Sequence, residues 1–348
     1  MFARKDGNLS AWAIWGQFLL VAGVIAYSGT QLSRYGDILA EKTGMGRTWL
    51  GLVVLATVTS LPEMATGISA VLWVHAPDIT VGDLLGSCVF NLLILAGVDL
   101  LHPPGPVLTA ADRGHLLGVA FGIIMLGVTV MGLLPPPFPV SRITLGHIGL
   151  SSLVLWFCYL VAMRSIFRYQ RRERAAFLAE QEEMPVYDNA SFSGALWKFG
   201  LNALVVAAAG AWMPRVAADL AGLMGWHLSL VGTIFVAIAT SLPELAVTMG
   251  ALRLGAVDLA VGNLFGSNLI NLAVLGLMDA LYLPGPLLQA VAPEHAATGV
   301  MAIIMTGIAG AELVYRPQKK PLRWISAGAF FMAFLYAAYI FLQFLTKG

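Results

Sequence analysis

The sequence predicts an all-α polytopic membrane protein, with ten transmembrane helices arranged as two inverted five-helix repeats. Three observations support this prediction: a strongly apolar composition, ten apolar runs of membrane length, and two halves that share motifs. Of the 348 residues, 58% are hydrophobic and 11% are charged. Soluble domains have about 45–50% apolar and about 25% charged residues, so this composition is typical of a membrane protein.

Ten apolar runs reach the length of about 20 residues that one membrane crossing needs. They cover residues 11–32, 48–74, 79–101, 115–134, 143–163, 192–213, 226–251, 257–282, 294–314 and 322–344. A long polar segment separates the fifth run from the sixth. We therefore expect a first repeat over 1–163, a cytoplasmic linker loop over 164–191, and a second repeat over 192–348.

The basic residues predict how the chain is oriented. With the N-terminus outside, the cytoplasmic loops hold 14 Lys and Arg residues and the opposite side holds five, which satisfies the positive-inside rule. We expect an integral protein of a prokaryotic inner membrane, with the central loop in the cytoplasm. The formal net charge of +1 gives no electrostatic reason to expect a nucleic-acid partner, and the sequence shows no evident protein partner or cofactor.

The two halves share motifs at a nearly constant spacing. The pentapeptide TSLPE occurs at 59–63 and at 240–244, an offset of 181 residues. The segments VGDLLGSCVFN from Val81 and VGNLFGSNLIN from Val261 are offset by 180 residues. Such a repeat indicates an internal duplication. Because each half has five spans, an odd number, the second half must enter the membrane from the opposite side, as in transporters with inverted repeats.

Each TSLPE segment places a proline and a glutamate inside an apolar helix. Proline has no N–H to donate, so the carbonyls about one turn earlier, near Val58 and Thr59 or Ala239 and Thr240, lose partners. The carboxylate that follows costs several kcal/mol in a bilayer unless it is paired. Free carbonyls, hydroxyls and a carboxylate are suitable ligands for a hard cation.

We therefore expect Glu63 and Glu244 to meet at one midplane site, where their two negative charges match Ca²⁺. Polar side chains spaced at i, i+4 and i+8 form one stripe on each following helix and can add oxygen ligands. These stripes are Asp83, Ser87 and Asn91 in the first half and Asn263, Ser267 and Asn271 in the second.

Each of these features, taken alone, also has a structural explanation. Proline kinks are common in membrane helices, Ser and Asn stripes form interhelical hydrogen bonds, and Gly-x-x-x-Gly faces allow close packing. Their joint recurrence at matched positions in both halves favours an ion site. His115 and His295 begin spans near opposite membrane faces, and we favour an interfacial structural role for them over a proton relay.

At these residues the chain resembles the sodium/calcium exchanger family, within the cation/calcium antiporter superfamily, as a prokaryotic-type member with ten helices. The shared motifs are the two TSLPE segments, GDLLGSCVFN and GNLFGSNLIN. The resemblance implies that Ca²⁺ is bound by Glu63 and Glu244 together with the carbonyls of Thr59 and Thr240. It also implies flanking Na⁺ sites at Ser60, Ser87, Asn91, Ser241, Ser267 and Asn271.

The resemblance further implies a secondary antiporter rather than an enzyme. Na⁺ entry drives Ca²⁺ out by alternating access, while the first and sixth spans slide across the core. The chain departs from the family pattern at Val58, Asp83, Cys88, Ala239 and Asn271.

Two other functions stay open at this point. Asp83 can titrate, which favours a proton-coupled exchanger of Ca²⁺ or another divalent cation. An intramembrane hydrolase could use the paired acids with Ser60 or His115, but the sequence holds no catalytic motif that supports it.

Overall fold

The fold is described by a computed structural model, which covers residues 11–42, 56–102, 105–134, 143–177, 191–253, 255–321 and 324–345. The main helices are α1 Ala11–Lys42, α2 Ala56–Thr59, α3 Leu61–Ser69, α4 Pro77–Leu101, α5 His115–Leu133, α6 Leu150–Phe177, α7 Phe192–Met224, α8 Ala237–Thr240, α9 Leu242–Arg253, α10 Val257–Leu281, α11 His295–Tyr315 and α12 Ala327–Leu345. Two π-helical segments, Ala70–Val74 and Val231–Val236, and short turns at Val107–Ala110, Leu228–Leu230 and Leu287–Gln289 complete the helical structure of these residues.

The described helices confirm a polytopic helical membrane protein. Eight of them are long and apolar enough to cross a membrane, and a bent pair makes up to nine. The bent pair joins Leu228–Thr240 to Leu242–Arg253 at 40°. The predicted span 48–74 begins outside the described residues, and its described part is the broken helix α2–α3 with the π-helical segment that follows. The number ten and the inversion of the repeats stay predictions.

The structure corrects the prediction around the fifth span. The sequence predicts a span from 143 to 163, but β1 Thr144–Leu145 and β2 Ile148–Gly149 form an antiparallel hairpin there, and the helix begins at Leu150. The hairpin turns through Gly146, whose φ of 65° suits a two-residue loop. The all-α class is therefore wrong for this short segment.

Three helices extend beyond their predicted spans. Helix α6 continues to Phe177, so the first part of the predicted linker 164–191 is helical, while residues 178–190 lie outside the described part. Helices α1 and α7 reach Lys42 and Met224, well past the predicted ends at 32 and 213. Hydropathy finds where a helix leaves the apolar layer, whereas Arg, Glu and Ala continue a helix readily beyond it.

Two hydrophobic clusters hold the described helices together. The larger one joins α4, α5, α6, α10, α11 and α12 through buried side chains such as Leu85, Met125 and Leu269. The smaller one joins α1 and α7 to the second broken helix through residues such as Ile25 and Leu220. Helices α1 and α7 pack along each other, and the broken helices contact both this pair and the six-helix core. This arrangement places the two TSLPE segments between the two layers.

Buried aspartates fix the loops at the ends of α4 and α10. Asp279 accepts backbone N–H bonds from Leu287 through Oδ1, at 2.5 Å, and from Gly149 through Oδ2, at 2.8 Å. Asp99 lies 180 residues earlier and accepts the N–H of Val107 at 2.8 Å. Both carboxylates therefore satisfy buried backbone donors that have no water to turn to.

We expect Asp279→Asn to lower the free energy of unfolding by about 1–3 kcal/mol, because the new amide nitrogen faces an N–H group that loses its acceptor. Thermal unfolding in detergent measures this loss. Asp219→Asn makes the same chemical change at an exposed position of α7 and serves as the control. Equal unfolding temperatures for the two variants would contradict the proposed anchoring role.

Candidate cation-binding site

The two TSLPE segments interrupt their helices with nearly the same backbone geometry. Ser60 separates α2 from α3 at φ −83° and ψ 6°, and Ser241 separates α8 from α9 at φ −87° and ψ 7°. Pro62 and Pro243 follow in the first turn of the next helix, where a missing N–H is tolerated. The sequence duplication is therefore matched by a duplicated helix break.

The break leaves backbone carbonyls without the helical donors they would normally have. In the first copy, Ser60 N–H donates to the Ala56 carbonyl and Met64 N–H donates to the Ser60 carbonyl, each at 3.1 Å. The carbonyls of Val58 and Thr59 accept none of the backbone bonds that cross this break in the described structure. The corresponding carbonyls of the second copy are left out in the same way, as the proline positions predict.

All the side chains that the sequence selects for the site are buried. At most 1% of the accessible surface is exposed for each of Thr59, Ser60, Glu63, Asp83, Ser87, Asn91, Thr240, Ser241, Glu244, Ser267 and Asn271. The structure brings many of them into contact across the two halves. Carboxylates, hydroxyls and amides without water need partners inside the protein or a bound cation.

Glu63 receives hydroxyl groups from both halves of the chain. Its Oε1 accepts from Ser87 Oγ at 3.4 Å and from Ser241 Oγ at 3.3 Å. Its Oε2 has no hydrogen-bond partner among the described residues. This oxygen is therefore free to bind a ligand.

Glu244 is still less satisfied than Glu63. Neither of its carboxylate oxygens has a hydrogen-bond partner within the described part of the chain. The hydroxyls of Thr59, Ser60 and Ser267 are close enough to interact with it electrostatically, and Thr59 Oγ1 lies 3.2 Å from Ser267 Oγ. The carboxylates of Glu63 and Glu244 also interact with each other, and like charges that are buried together favour a bound cation between them.

Asp83 adds a third acidic group to this region. Thr240 Oγ1 donates to Asp83 Oδ1 at 2.8 Å, while Asp83 Oδ2 has no partner among the described residues. Asp83 interacts electrostatically with Glu63 and Glu244. Within the described ranges, however, no three His, Cys, Asp or Glu side chains are grouped closely enough to hold a metal ion. A cation bound here would take most of its ligands from hydroxyl, amide and carbonyl oxygens.

Asn268 joins the two stripes and was not selected from the sequence. Asn91 Nδ2 donates to Asn268 Oδ1 at 2.9 Å, and Asn268 Nδ2 donates to the Cys88 carbonyl at 3.2 Å. Asn271, three residues further along α10, has no partner for either amide atom in the described structure. The signal for Asn268 is present in the sequence, because a spacing of three residues places it on the same face as Asn271.

The two predicted interfacial histidines each join one half of the chain to the other. His115 Nε2 lies 3.0 Å from Asp258 Oδ1, and His295 Nε2 lies 3.1 Å from Asp78 Oδ1. These contacts at helix ends agree with a structural role. They also leave His115 paired with an acid, and Ser60 Oγ has no hydrogen-bond partner in the described structure, so neither forms the Ser–His pair that a hydrolase would use.

Two glycines that the sequence did not single out contact the helix breaks. A Cβ atom at Gly29 of α1 would lie 2.3 Å from Pro243 Cγ. A Cβ at Gly210 of α7 would lie 2.7 Å from Ala65 Cβ and 3.1 Å from the Pro62 carbonyl oxygen. The two glycines have the same 181-residue offset as the TSLPE segments. Each long helix therefore crosses the break of the opposite half through a glycine.

A family comparison decides which proteins this arrangement belongs with. The profile of the family described as "Sodium/calcium exchanger protein" matches residues 13–164 and again 194–345. The chain belongs to the sodium/calcium exchanger family. The resemblance stated from the TSLPE and GSN-type motifs is thereby confirmed.

This exchanger-family chain is similar to curated relatives along most of its length. It is 28% identical over 314 residues to the inner membrane protein YrbG of Escherichia coli K12, which covers 88% of this chain and 91% of the relative. It is 27% identical over 269 residues to the sodium/calcium exchanger MaX1 of Methanosarcina acetivorans, covering 70% of this chain and 76% of the relative.

The fold is also similar to that of a solved exchanger. The structure of the sodium-calcium exchanger NCX_Mj, soaked with 100 mM Na⁺ and 10 mM Sr²⁺, aligns with a TM-score of 0.62 at 21% sequence identity. The alignment covers 94% of this chain and 97% of that one. The exchanger-family chain therefore shares the overall fold of NCX_Mj.

Proposed function

We propose that this exchanger-family protein is a secondary active antiporter that exchanges Ca²⁺ against Na⁺ at a midplane site formed by Glu63 and Glu244. One observation carries the proposal: three of the four oxygens of these two buried carboxylates have no hydrogen-bond partner among the described residues. A dehydrated divalent cation would neutralise both groups and use those oxygens as ligands. The relative MaX1, itself named a sodium/calcium exchanger, supports the same ion pair.

The proposed ligands extend from the two glutamates to the oxygens around them. Ca²⁺ would be held by the glutamates and by the carbonyls of Thr59 and Thr240, which the helix breaks leave free. Na⁺ would use the remaining polar positions of the two halves, which are Ser60, Ser87, Asn91, Ser241, Ser267 and Asn271. Because the ions themselves are the transported substrates, the proposed activity needs no catalytic residue and no cofactor.

Alternating access in this proposal depends on two inverted five-helix repeats, over 1–163 and 192–348, joined by the linker 164–191. The two separate matches to the family profile support this division, as do reciprocal contacts such as His115 with Asp258 and His295 with Asp78. Helices α1 and α7 form the layer that would slide across the six-helix core.

We place the central linker in the cytoplasm and the N-terminus outside, because this orientation satisfies the positive-inside rule. The relative YrbG is named an inner membrane protein, which agrees with the proposed location. Its partners in transport would be the inorganic cations and the surrounding bilayer.

A proton-coupled exchanger is the second proposed function, and Asp83 is the observation that favours it. Its carboxylate is buried, accepts one bond from Thr240 and keeps Oδ2 unpaired. A protonated Asp83 would release charge repulsion toward the two glutamates, so H⁺ could replace Na⁺ as the coupling ion.

Uptake of radioactive Ca²⁺ into proteoliposomes separates the two functions. We expect an outward Na⁺ gradient to drive uptake and an outward proton gradient alone to leave it near background. Uptake that follows the pH gradient and ignores Na⁺ would overturn the first proposal in favour of the second.

Asp83→Asn sharpens this test, because Asn can still accept the hydroxyl bond from Thr240 but cannot bind and release a proton. If Na⁺ is the coupling ion, we expect Asp83→Asn to retain uptake driven by the Na⁺ gradient. If H⁺ is the coupling ion, the same variant should lose uptake driven by the pH gradient. Loss of Na⁺-driven uptake in Asp83→Asn would show instead that Asp83 is needed for Na⁺ coupling.

A further inference from the structure

The polar contacts between α4 and α10 are reciprocal except at one point. Asn268 Nδ2 donates to the Cys88 carbonyl at 3.2 Å, and Cys88 Sγ donates to the Asn268 carbonyl at 3.8 Å. These residues occupy equivalent positions of the two halves, 180 residues apart. The same offset relates Asn91 to Asn271. A strictly symmetric site would therefore contain two side-chain pairs, Asn91 with residue 268 and Asn271 with residue 88.

Only the first of these two pairs exists. Asn91 Nδ2 donates to Asn268 Oδ1 at 2.9 Å, so the side-chain amide of Asn91 is held in place. The equivalent partner of Asn271 is Cys88, whose thiol is too short and too weak a hydrogen-bonding group to replace an amide. Both amide atoms of Asn271 accordingly have no partner in the described structure, although its side chain is fully buried.

An unpaired buried amide is costly unless a ligand satisfies it. Asn271 lies one helical turn beyond Ser267 on α10, and Ser267 Oγ contacts Thr59 at the first helix break. The free amide is therefore on the helix face that meets the candidate site. Its oxygen is a neutral ligand of the kind that hard cations accept.

We propose that Cys88 is a positioning residue that makes the two halves of the site unequal, because it leaves the Asn271 amide free to bind the coupling cation while Asn268 restrains Asn91. The proposal rests on the antiport function above and deepens it. The coupling cation binds preferentially on the Asn271 side of the site. A symmetric pair of amides would weaken that preference.

Cys88→Asn tests the proposal by supplying the missing partner of Asn271. Restraining the Asn271 amide should raise the Na⁺ concentration that gives half-maximal Ca²⁺ exchange by about fivefold or more, as expected when a buried ligand is engaged elsewhere. The Ca²⁺ concentration for half-maximal exchange should change by less than about twofold, because Glu63 and Glu244 are untouched. A change of both constants together, or of neither, would overturn the proposal.

A second measurement does not depend on transport. Because Cys88→Asn pairs a buried amide that is otherwise unsatisfied, we expect the cation-free protein to unfold in detergent at a higher temperature than wild type. The additional stabilisation produced by Na⁺ should be smaller in the variant. A lower unfolding temperature without cations would show that residue 88 does not reach Asn271.

Two further variants keep the test decisive. Cys88→Ala removes the thiol but supplies no amide, so its Na⁺ dependence should stay close to that of the wild type. In the double variant Cys88→Asn with Asn268→Cys, the free amide moves to Asn91, and strong Na⁺ dependence should return. If wild-type exchange responds to Na⁺ but all three variants share the wild-type Na⁺ constant, the proposal for Cys88 fails and the antiport function stands. If wild-type protein shows no Na⁺-driven exchange, the antiport function itself fails.

Discussion

Glu63→Gln and Glu244→Gln are each expected to lower Ca²⁺ exchange by at least about 100-fold at Ca²⁺ concentrations that half-saturate the wild type. A carboxylate about 4 Å from a unit positive charge contributes about 4 kcal/mol at an effective dielectric constant of about 20. Each 1.4 kcal/mol corresponds to about tenfold in affinity, so loss of one carboxylate exceeds that threshold even if half the contribution is recovered elsewhere.

The measurement is the initial rate of Ca²⁺ uptake by proteoliposomes as the Ca²⁺ concentration is raised. Glu294→Gln provides the matched control, since the same chemical change falls on an exposed residue just before α11. We expect the control to transport like the wild type. Wild-type rates in Glu63→Gln would contradict every proposal that places the ion between the two glutamates.

Gly29→Ala and Gly210→Ala should slow exchange by about tenfold or more, because forcing a methyl group into a packed contact costs about 1–3 kcal/mol. In Gly29→Ala the new methyl carbon would lie 2.3 Å from Pro243 Cγ, and in Gly210→Ala it would lie 2.7 Å from Ala65 Cβ. These contacts join the layer of α1 and α7 to the helix breaks. The substitutions therefore act where the proposed sliding motion would have to occur.

The same two helices supply the controls for this experiment. A Cβ at Gly23 of α1 or at Gly200 of α7 meets no atom within 4 Å, and Gly23→Ala and Gly200→Ala raise helix propensity without filling a contact. We expect both control variants to exchange Ca²⁺ at wild-type rates. Equal slowing in the controls and the test variants would mean that helix flexibility, and not the glycine–proline contact, limits transport.

Much of the fold could be predicted because a membrane helix is determined mainly by local composition. An apolar stretch of sufficient length must satisfy its backbone internally, and the ends of α4, α5, α10 and α11 fall within about two residues of the predicted spans. The prediction fails where polarity and helix formation separate. Helix α6 continues to Phe177 through charged residues, and the hairpin at Thr144–Gly149 was included in an apolar run.

The residues of the candidate site could be selected from the sequence because duplication marks them twice. Glu63 and Glu244 carry their own chemical signal, since a carboxylate inside an apolar run needs a functional explanation. Their partners carry no such signal. The bond from Thr240 to Asp83 and the contact of Gly29 with Pro243 join residues more than 150 positions apart, and no local pattern reports which distant side chains meet.

The sequence by itself determined that the chain is a membrane protein, that its halves are duplicated, and which glutamates and hydroxyls form the candidate site. These conclusions follow from hydropathy, the missing N–H of proline and the charge of a buried acid, which are properties of single residues and their spacing. Only the tertiary structure decided how equally the two halves contribute. Asn268 holds Asn91, while Cys88 leaves Asn271 unpaired, because hydrogen bonds between helices depend on which side chains reach across the interface.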